Sequence, residues 1–148
     1  MTSYFPDLNV WVALSVSAHV HWADSQEWLD RVSPDSRIIF SRYTQVGLLR
    51  LLTTQAVMGS ECKTLNQAWD VYDYWLNDPR IELWGEPGDL NTIFREATIP
   101  LGAQRAPKMV GDSFLLAYAE ASGGALVTFD RALRALAARR GIVAISPG

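Results

Sequence analysis

One cysteine, two histidines and two lysines are all that 148 residues contain of those types. A lone thiol, Cys62, excludes an internal disulfide, and with only His19 and His21 beside it there is too little sulfur and nitrogen for a Cys/His zinc centre. Any metal must therefore be held by oxygen. No apolar run approaches the ~20 residues that cross a bilayer, and the N-terminus lacks a charged region followed by an apolar stretch. A soluble, cytoplasmic chain with no membrane partner is expected. Excess charge is missing too: 13 Lys+Arg stand against 16 Asp+Glu, a net charge of −3. Nucleic-acid binding would then require a local patch. Internal repeats, low-complexity segments and linkers are absent, which leaves residues 1–148 as a single domain. What is abundant is core material, with 49% hydrophobic residues, six Trp, five Tyr and five Phe. Eleven of the 13 basic residues are arginine, whose planar fork suits phosphate oxygens, although high-GC coding gives the same bias.

Short apolar runs alternate with longer helical patterns, as in an α/β domain with a parallel sheet. Tyr4-Phe5, Ile38–Phe40, Ile81–Trp84, Ala125–Thr128 and Ile142–Ile145 read as strands. Helices are expected over 9–15, 19–32, from Ser41 as N-cap, over 64–78, 89–98, 112–122 and 131–140. The stretch 99–110, with two prolines, a glycine, Arg105 and Lys108, reads as a functional loop. Trp11, Trp69 and Trp75 fall on apolar helical faces and are expected in the core, while Trp22 and Trp28 are undecided.

Ligands of parallel α/β sheets bind beyond the carboxyl ends of the strands. Asp7 follows the first strand, Asp130 follows Ala125–Thr128, and Asp112 opens the helix before that strand. Gln45, one turn into the helix after Ile38–Phe40, is the polar residue expected to face the same side. Each aspartate alone also fits a helix cap or an Asx turn. Three converging carboxylates repel by several kcal/mol at intermediate dielectric unless a cation lies between them. Such a cluster implies Mg²⁺ or Mn²⁺, and the chemistry is in-line attack of water on a phosphodiester, the ion neutralising charge on the phosphate.

Four segments carry a resemblance: Phe5-Pro6-Asp7-Leu8-Asn9-Val10, Thr44 to Thr53, Gly111-Asp112-Ser113-Phe114-Leu115-Leu116-Ala117, and Leu126-Val127-Thr128-Phe129-Asp130-Arg131-Ala132-Leu133. In this order and spacing the chain resembles a PIN domain, and more narrowly the VapC-type toxins of bacterial toxin–antitoxin pairs. The resemblance implies a three-layer α/β/α sandwich with a central parallel sheet and an Mg²⁺- or Mn²⁺-dependent ribonuclease site. Asp7, Asp112 and Asp130 match acidic metal-binding positions, with Asn9, Ser113 and Thr128 as supporting polar groups. Gln45 departs from the pattern, because many PIN nucleases carry Glu there. The amide keeps an oxygen but brings no charge, which leaves one-metal and two-metal mechanisms both open.

Phosphate contacts are expected from Arg50, Arg105, Lys108 and Arg131, each of which is otherwise an ordinary surface cation. Arg134, Arg139 and Arg140 complement a helix C-terminus instead. His19 and His21 invite an acid/base role but are expected as ordinary packing or surface residues. The Trp-rich helices near the N-terminus and in the middle suggest a groove for a partner helix. The family resemblance implies that a cognate antitoxin lays a helix there, directs a basic residue at the carboxylates, and that the toxin forms a homodimer. A phosphotransfer domain of the haloacid dehalogenase or receiver type fits less well, since it needs a second Asp near Asp7 or a later lysine. A PIN-like module that binds RNA or a partner without cutting is the remaining alternative.

Overall fold

Alternation along the strands divides the apolar side chains between two cores. In the computed structural model, which describes residues Met1–Gly148, β1 (Ser3–Pro6), β2 (Arg37–Phe40), β3 (Ile81–Leu83), β4 (Ala125–Val127) and β5 (Ala144–Ile145) form one sheet. All neighbours are parallel and the order is β3-β2-β1-β4-β5. Ile38, Phe40 and Val127 point to one face, where they meet α1 (Leu8–Ser15), α2 (Trp22–Arg31), α3 (Arg42–Leu52) and α5 (Leu65–Leu76) through Trp11, Trp28, Leu48 and Tyr72. Phe5, Ile39 and Leu126 point to the other, against α6 (Leu90–Thr98), α7 (Pro107–Ser122) and α8 (Arg131–Arg139) through Leu90, Leu116 and Leu133. The expected three-layer α/β/α sandwich results. Strands sealed on both faces explain the unbroken apolar runs Ile38–Phe40 and Ala125–Val127.

Local chemistry sets the helix starts. Ser41 caps α3, its Oγ accepting from the Thr44 amide while Thr44 Oγ1 accepts from the Ser41 amide, and Thr64 with Gln67 repeats the arrangement at α5. Several expected boundaries differ. α2 starts at Trp22 rather than His19, because His19 Nδ1 takes the His21 amide at 3.0 Å and holds a turn there. α7 starts at Pro107, five residues before Asp112. Proline suits the first helical position, and Ala106 reaches it with φ +25°, in the region that favours glycine. The expected loop 99–110 is thus shortened at both ends, by this helix and by a 3₁₀ turn at Ile99–Leu101. A short α4 (Gln55–Met58) and a 3₁₀ turn at Gly59–Glu61 are too brief to show periodicity. Trp11 and Trp75 are buried as expected, but Trp69 is 39% exposed. The helix buries Ala68, Tyr72 and Trp75, and Trp69 lies one residue off that stripe, edge-on to Tyr72 at 5.8 Å. No helix is long and apolar enough to cross a membrane.

Candidate active site

From β1 the chain builds outward to β2 and β3, then returns to add β4 and β5 on the other side. The carboxyl ends of β1 and β4 therefore flank the switch point, where connections diverge and leave a crevice. Asp7 is the first residue beyond β1. Its N–H extends the ladder to the Val127 carbonyl at 2.8 Å, and its Oδ1 caps α1 by accepting from Val10 at 3.2 Å. Asp130 caps α8 in the same way, its Oδ1 accepting from the Ala132 and Leu133 amides at 2.8 and 3.2 Å. Between the strand ends lies Thr128, fully buried. Its hydroxyl donates to Asp7 Oδ2 and accepts from the Asp130 amide at 3.1 Å. One hydroxyl thus ties both aspartates to one place. Capping and site-building are not alternatives here, since the cap geometry aims each carboxylate.

Asp112 comes from the second turn of α7, not from its cap. Its Oδ2 is buried and has no hydrogen-bond partner, and neither has the Oγ of Ser113, which is wholly enclosed. Burial pushes the Asp112 carboxyl up, and the charges of Asp7 and Asp130 push it further. Asp7 is also raised, by burial first, against the hydrogen bonds of Thr128 and the Val10 and Asn9 amides. Burial would raise Asp130 too, but the Lys108 ammonium and the Leu133 and Ala132 amides outweigh it and hold that carboxyl below its ordinary value. Lys108 Nζ lies 3.1 Å from Asp130 Oδ2. The three carboxylates thus sense one another, although no three acidic, histidine or cysteine side chains stand together as a finished metal cage. An orphaned buried carboxylate oxygen in an all-oxygen set is what a hard divalent cation would satisfy.

Other expected residues divide. Gln45 is buried, but its Oε1 accepts from Arg42 at 2.6 Å and bonds none of the aspartates. The Asn9 side chain is exposed and makes no hydrogen bond; its contribution is the amide beside Asp7. Arg50, Arg105 and Arg131 are exposed, and none forms a salt bridge. Arg140 clasps Glu120 beyond the C-terminal end of α8, but Arg134 does not serve that end as expected: it lies in the first turns of the helix and donates back to the Thr128 carbonyl at 2.9 Å.

Two aromatic rings lie beside residues next to the aspartates. His21, expected as an ordinary packing or surface residue, packs: its ring stacks on Phe129 at 4.2 Å, between Thr128 and Asp130 in sequence. Tyr43, 42% exposed, presses its hydroxyl against Gly111, where a Cβ would stand 2.1 Å from the oxygen. A glycine next to Asp112 was the only trace of that approach in the sequence. His21 left none, because a six-residue connection between helices has no periodicity from which to place it.

Comparison with known proteins bears on the family and the fold. The chain is 42% identical to ribonuclease VapC41 of Mycobacterium tuberculosis over 130 residues, covering 85% of this chain and 88% of the relative. Its fold is similar to VapBC-1 from nontypeable Haemophilus influenzae, with a TM-score of 0.73, 14% identity and 99% and 98% of the two chains covered. It is equally similar to VapBC2 from Rickettsia felis bound to a promoter DNA fragment, with a TM-score of 0.72, 15% identity and 98% of each chain covered. The PIN domain family matches residues 4–139, a span that runs from Tyr4 in β1 to the end of α8 and includes all three aspartates, and the chain belongs to that family.

Proposed function

We propose that this chain is a metal-dependent endoribonuclease acting in the cytoplasm as the toxin of a toxin–antitoxin pair. The reading is supported by Asp7 and Asp130 standing at neighbouring strand ends, tied through Thr128, and by Asp112 Oδ2, which is buried and unpartnered. The similarity to ribonuclease VapC41 supports RNA as the substrate. Asp7, Asp112 and Asp130 would hold Mg²⁺ or Mn²⁺, which when bound supplies the charge that activates water and neutralises the phosphate. Thr128 fixes the Asp7 carboxylate and the Asp130 backbone, so the oxygens are aimed before any substrate arrives. Arg50, Arg105, Lys108 and Arg131 take phosphates flanking the scissile bond. Gln45, engaged by Arg42, lends the site shape rather than charge, which favours a single well-held ion.

The partner surface lies elsewhere. A cavity of about 1100 Å³ opens between α2 and α5, lined by Trp22, Leu29, Val71, Tyr74 and Trp75. An antitoxin helix with an apolar face fits such a groove, and the similarity to VapBC structures supports that occupant. The chain acts as one domain, and pairs with a second copy.

Incubation with mixed RNAs in Mn²⁺, with and without EDTA, tests the activity. The wild type is expected to give metal-dependent fragments, and Asp7→Asn none while retaining its circular dichroism spectrum. Wild-type cleavage by Asp7→Asn would end the site assignment; intact RNA with the wild type would leave the binding module.

A further inference from the structure

Lys108 is the only basic residue that forms a salt bridge with any of the three site aspartates. It reaches across 22 positions of sequence, from the first turn of α7 to the cap of α8. Both places are the positive ends of helix dipoles, where a cation is disfavoured. Helix stability therefore gives no reason for the ammonium to lie there. Packing gives none either, since the side chain is 77% exposed. What remains is the carboxylates, and the ammonium is drawn by Asp112 and Asp7 as well as by Asp130.

The division of the Asp130 oxygens sharpens the point. Oδ1 is taken by the Ala132 and Leu133 amides, so Oδ2 is the oxygen left for an ion, and Oδ2 is the one that Lys108 holds. We propose that Lys108 is a tethered counter-ion, bound to Asp130 Oδ2 when the site is empty of metal, which must leave that oxygen before a divalent cation takes it. This rests on the reading of the aspartates as a metal site. A lysine suits the task. Its compact ammonium on a flexible stem can swing off one oxygen, where a guanidinium fork would grip more firmly. Once released, it remains tethered beside the site, within a side chain's length of an incoming phosphate. The tether thus keeps the carboxylates together in the metal-free protein at the expense of metal affinity.

Calorimetric titration of Mn²⁺ into the full chain tests this. Lys108→Gln is expected to bind Mn²⁺ about three- to fivefold more tightly than the wild type, the range an exposed ion pair commands. Arg131→Gln removes a charge next to Asp130 that touches no carboxylate, and Arg139→Gln removes one far away; both are expected to stay within about twofold of the wild type. Lys108→Gln binding with unchanged or weaker affinity overturns the proposal. So does an equal gain in Arg131→Gln, which would make the effect one of diffuse charge. Asp112→Asn separates the two levels: if it binds Mn²⁺ as well as the wild type, or if neither binds, the metal-site reading itself fails and the tether with it. Lys108 is exposed, so its replacement leaves folding intact, and melting in EDTA supplies a second reading. There Lys108→Gln is expected to melt below the wild type, having lost the one cation that offsets the carboxylates.

Discussion

Asp112 is placed at a cost to the fold. Its carboxyl is half-buried beside two others, one oxygen has no partner, and the native state holds its proton more tightly than the unfolded chain does. By linkage, a carboxyl raised on folding favours the native state at low pH, and that contribution is lost as pH rises from the ordinary value of 3.8 through the raised one. At neutral pH the metal-free protein carries the penalty in full. Asp112→Asn removes the charge and is expected to raise the metal-free melting temperature at pH 7 by about 2–4 °C, the shift that ~1 kcal/mol gives in a domain of this size. The gain should shrink towards pH 4, and Mn²⁺-dependent cleavage should be absent. Scanning calorimetry in EDTA at three pH values checks it; a variant that melts below the wild type at pH 7 would mean that the carboxylate has a stabilising partner after all. The aspartates were legible in the sequence because each follows a recognisable strand or opens a motif. Tyr43 and His21 were not, since nothing local distinguishes a rim aromatic from a packed one.

Elements are held at their ends by side chains whose partners lie far away in sequence. Arg80 is the clearest case. Its Nη1 donates to the Leu29 and Val32 carbonyls at 2.8 Å each, closing the C-terminal turn of α2, while Nε and Nη2 bind Asp78 at 3.1 and 2.7 Å. The guanidinium thus fixes α2 to the turn that enters β3. Arg80→Met is expected to cost about 2–4 kcal/mol in urea denaturation at pH 7, because the guanidinium's bonds to two carbonyls and to the Asp78 carboxylate are lost together. The hydrogen bond to Arg80 holds Asp78 below its ordinary 3.8. A depressed carboxyl contributes stability above its unfolded value, and that share is lost as pH falls through the lower native one. The gap between wild type and variant should therefore narrow when the titration is repeated at pH 2–3. Other boundaries are hidden in the sequence for local reasons. The interior of α5 was legible from its apolar repeat, whereas the start of α7 depended on Ala106 adopting a rare φ, and α4 was too short for any repeat.

Across the whole molecule the fold class was legible and the strand order was not. Buried parallel strands announce themselves as apolar runs, but nothing in those runs says that β4 returns to the side of β1, and the crevice exists only because it does. Net charge was legible too, and it constrains how RNA is held. A protein of charge −3 with the proposed carboxylate site repels a polyanion broadly, so RNA binding would have to come from a local set of cations, for which Arg50, Arg105, Lys108 and Arg131 are the proposed members. Each phosphate neutralised on a single strand contributes about −0.7 to the slope of log affinity against log salt. If Arg50, Arg105, Lys108 and Arg131 are the contacts, the slope is about −3. Fluorescence anisotropy of a labelled mixed-sequence single-stranded RNA, titrated with Asp7→Asn between about 50 and 200 mM salt, measures it directly. Arg50→Gln should flatten the slope by about 0.7 and weaken binding equally for all sequences. A slope near zero would mean that none of the four touches phosphate, and one much steeper than −3 would mean that further cations, from among the other nine basic residues or from a second copy, reach the strand.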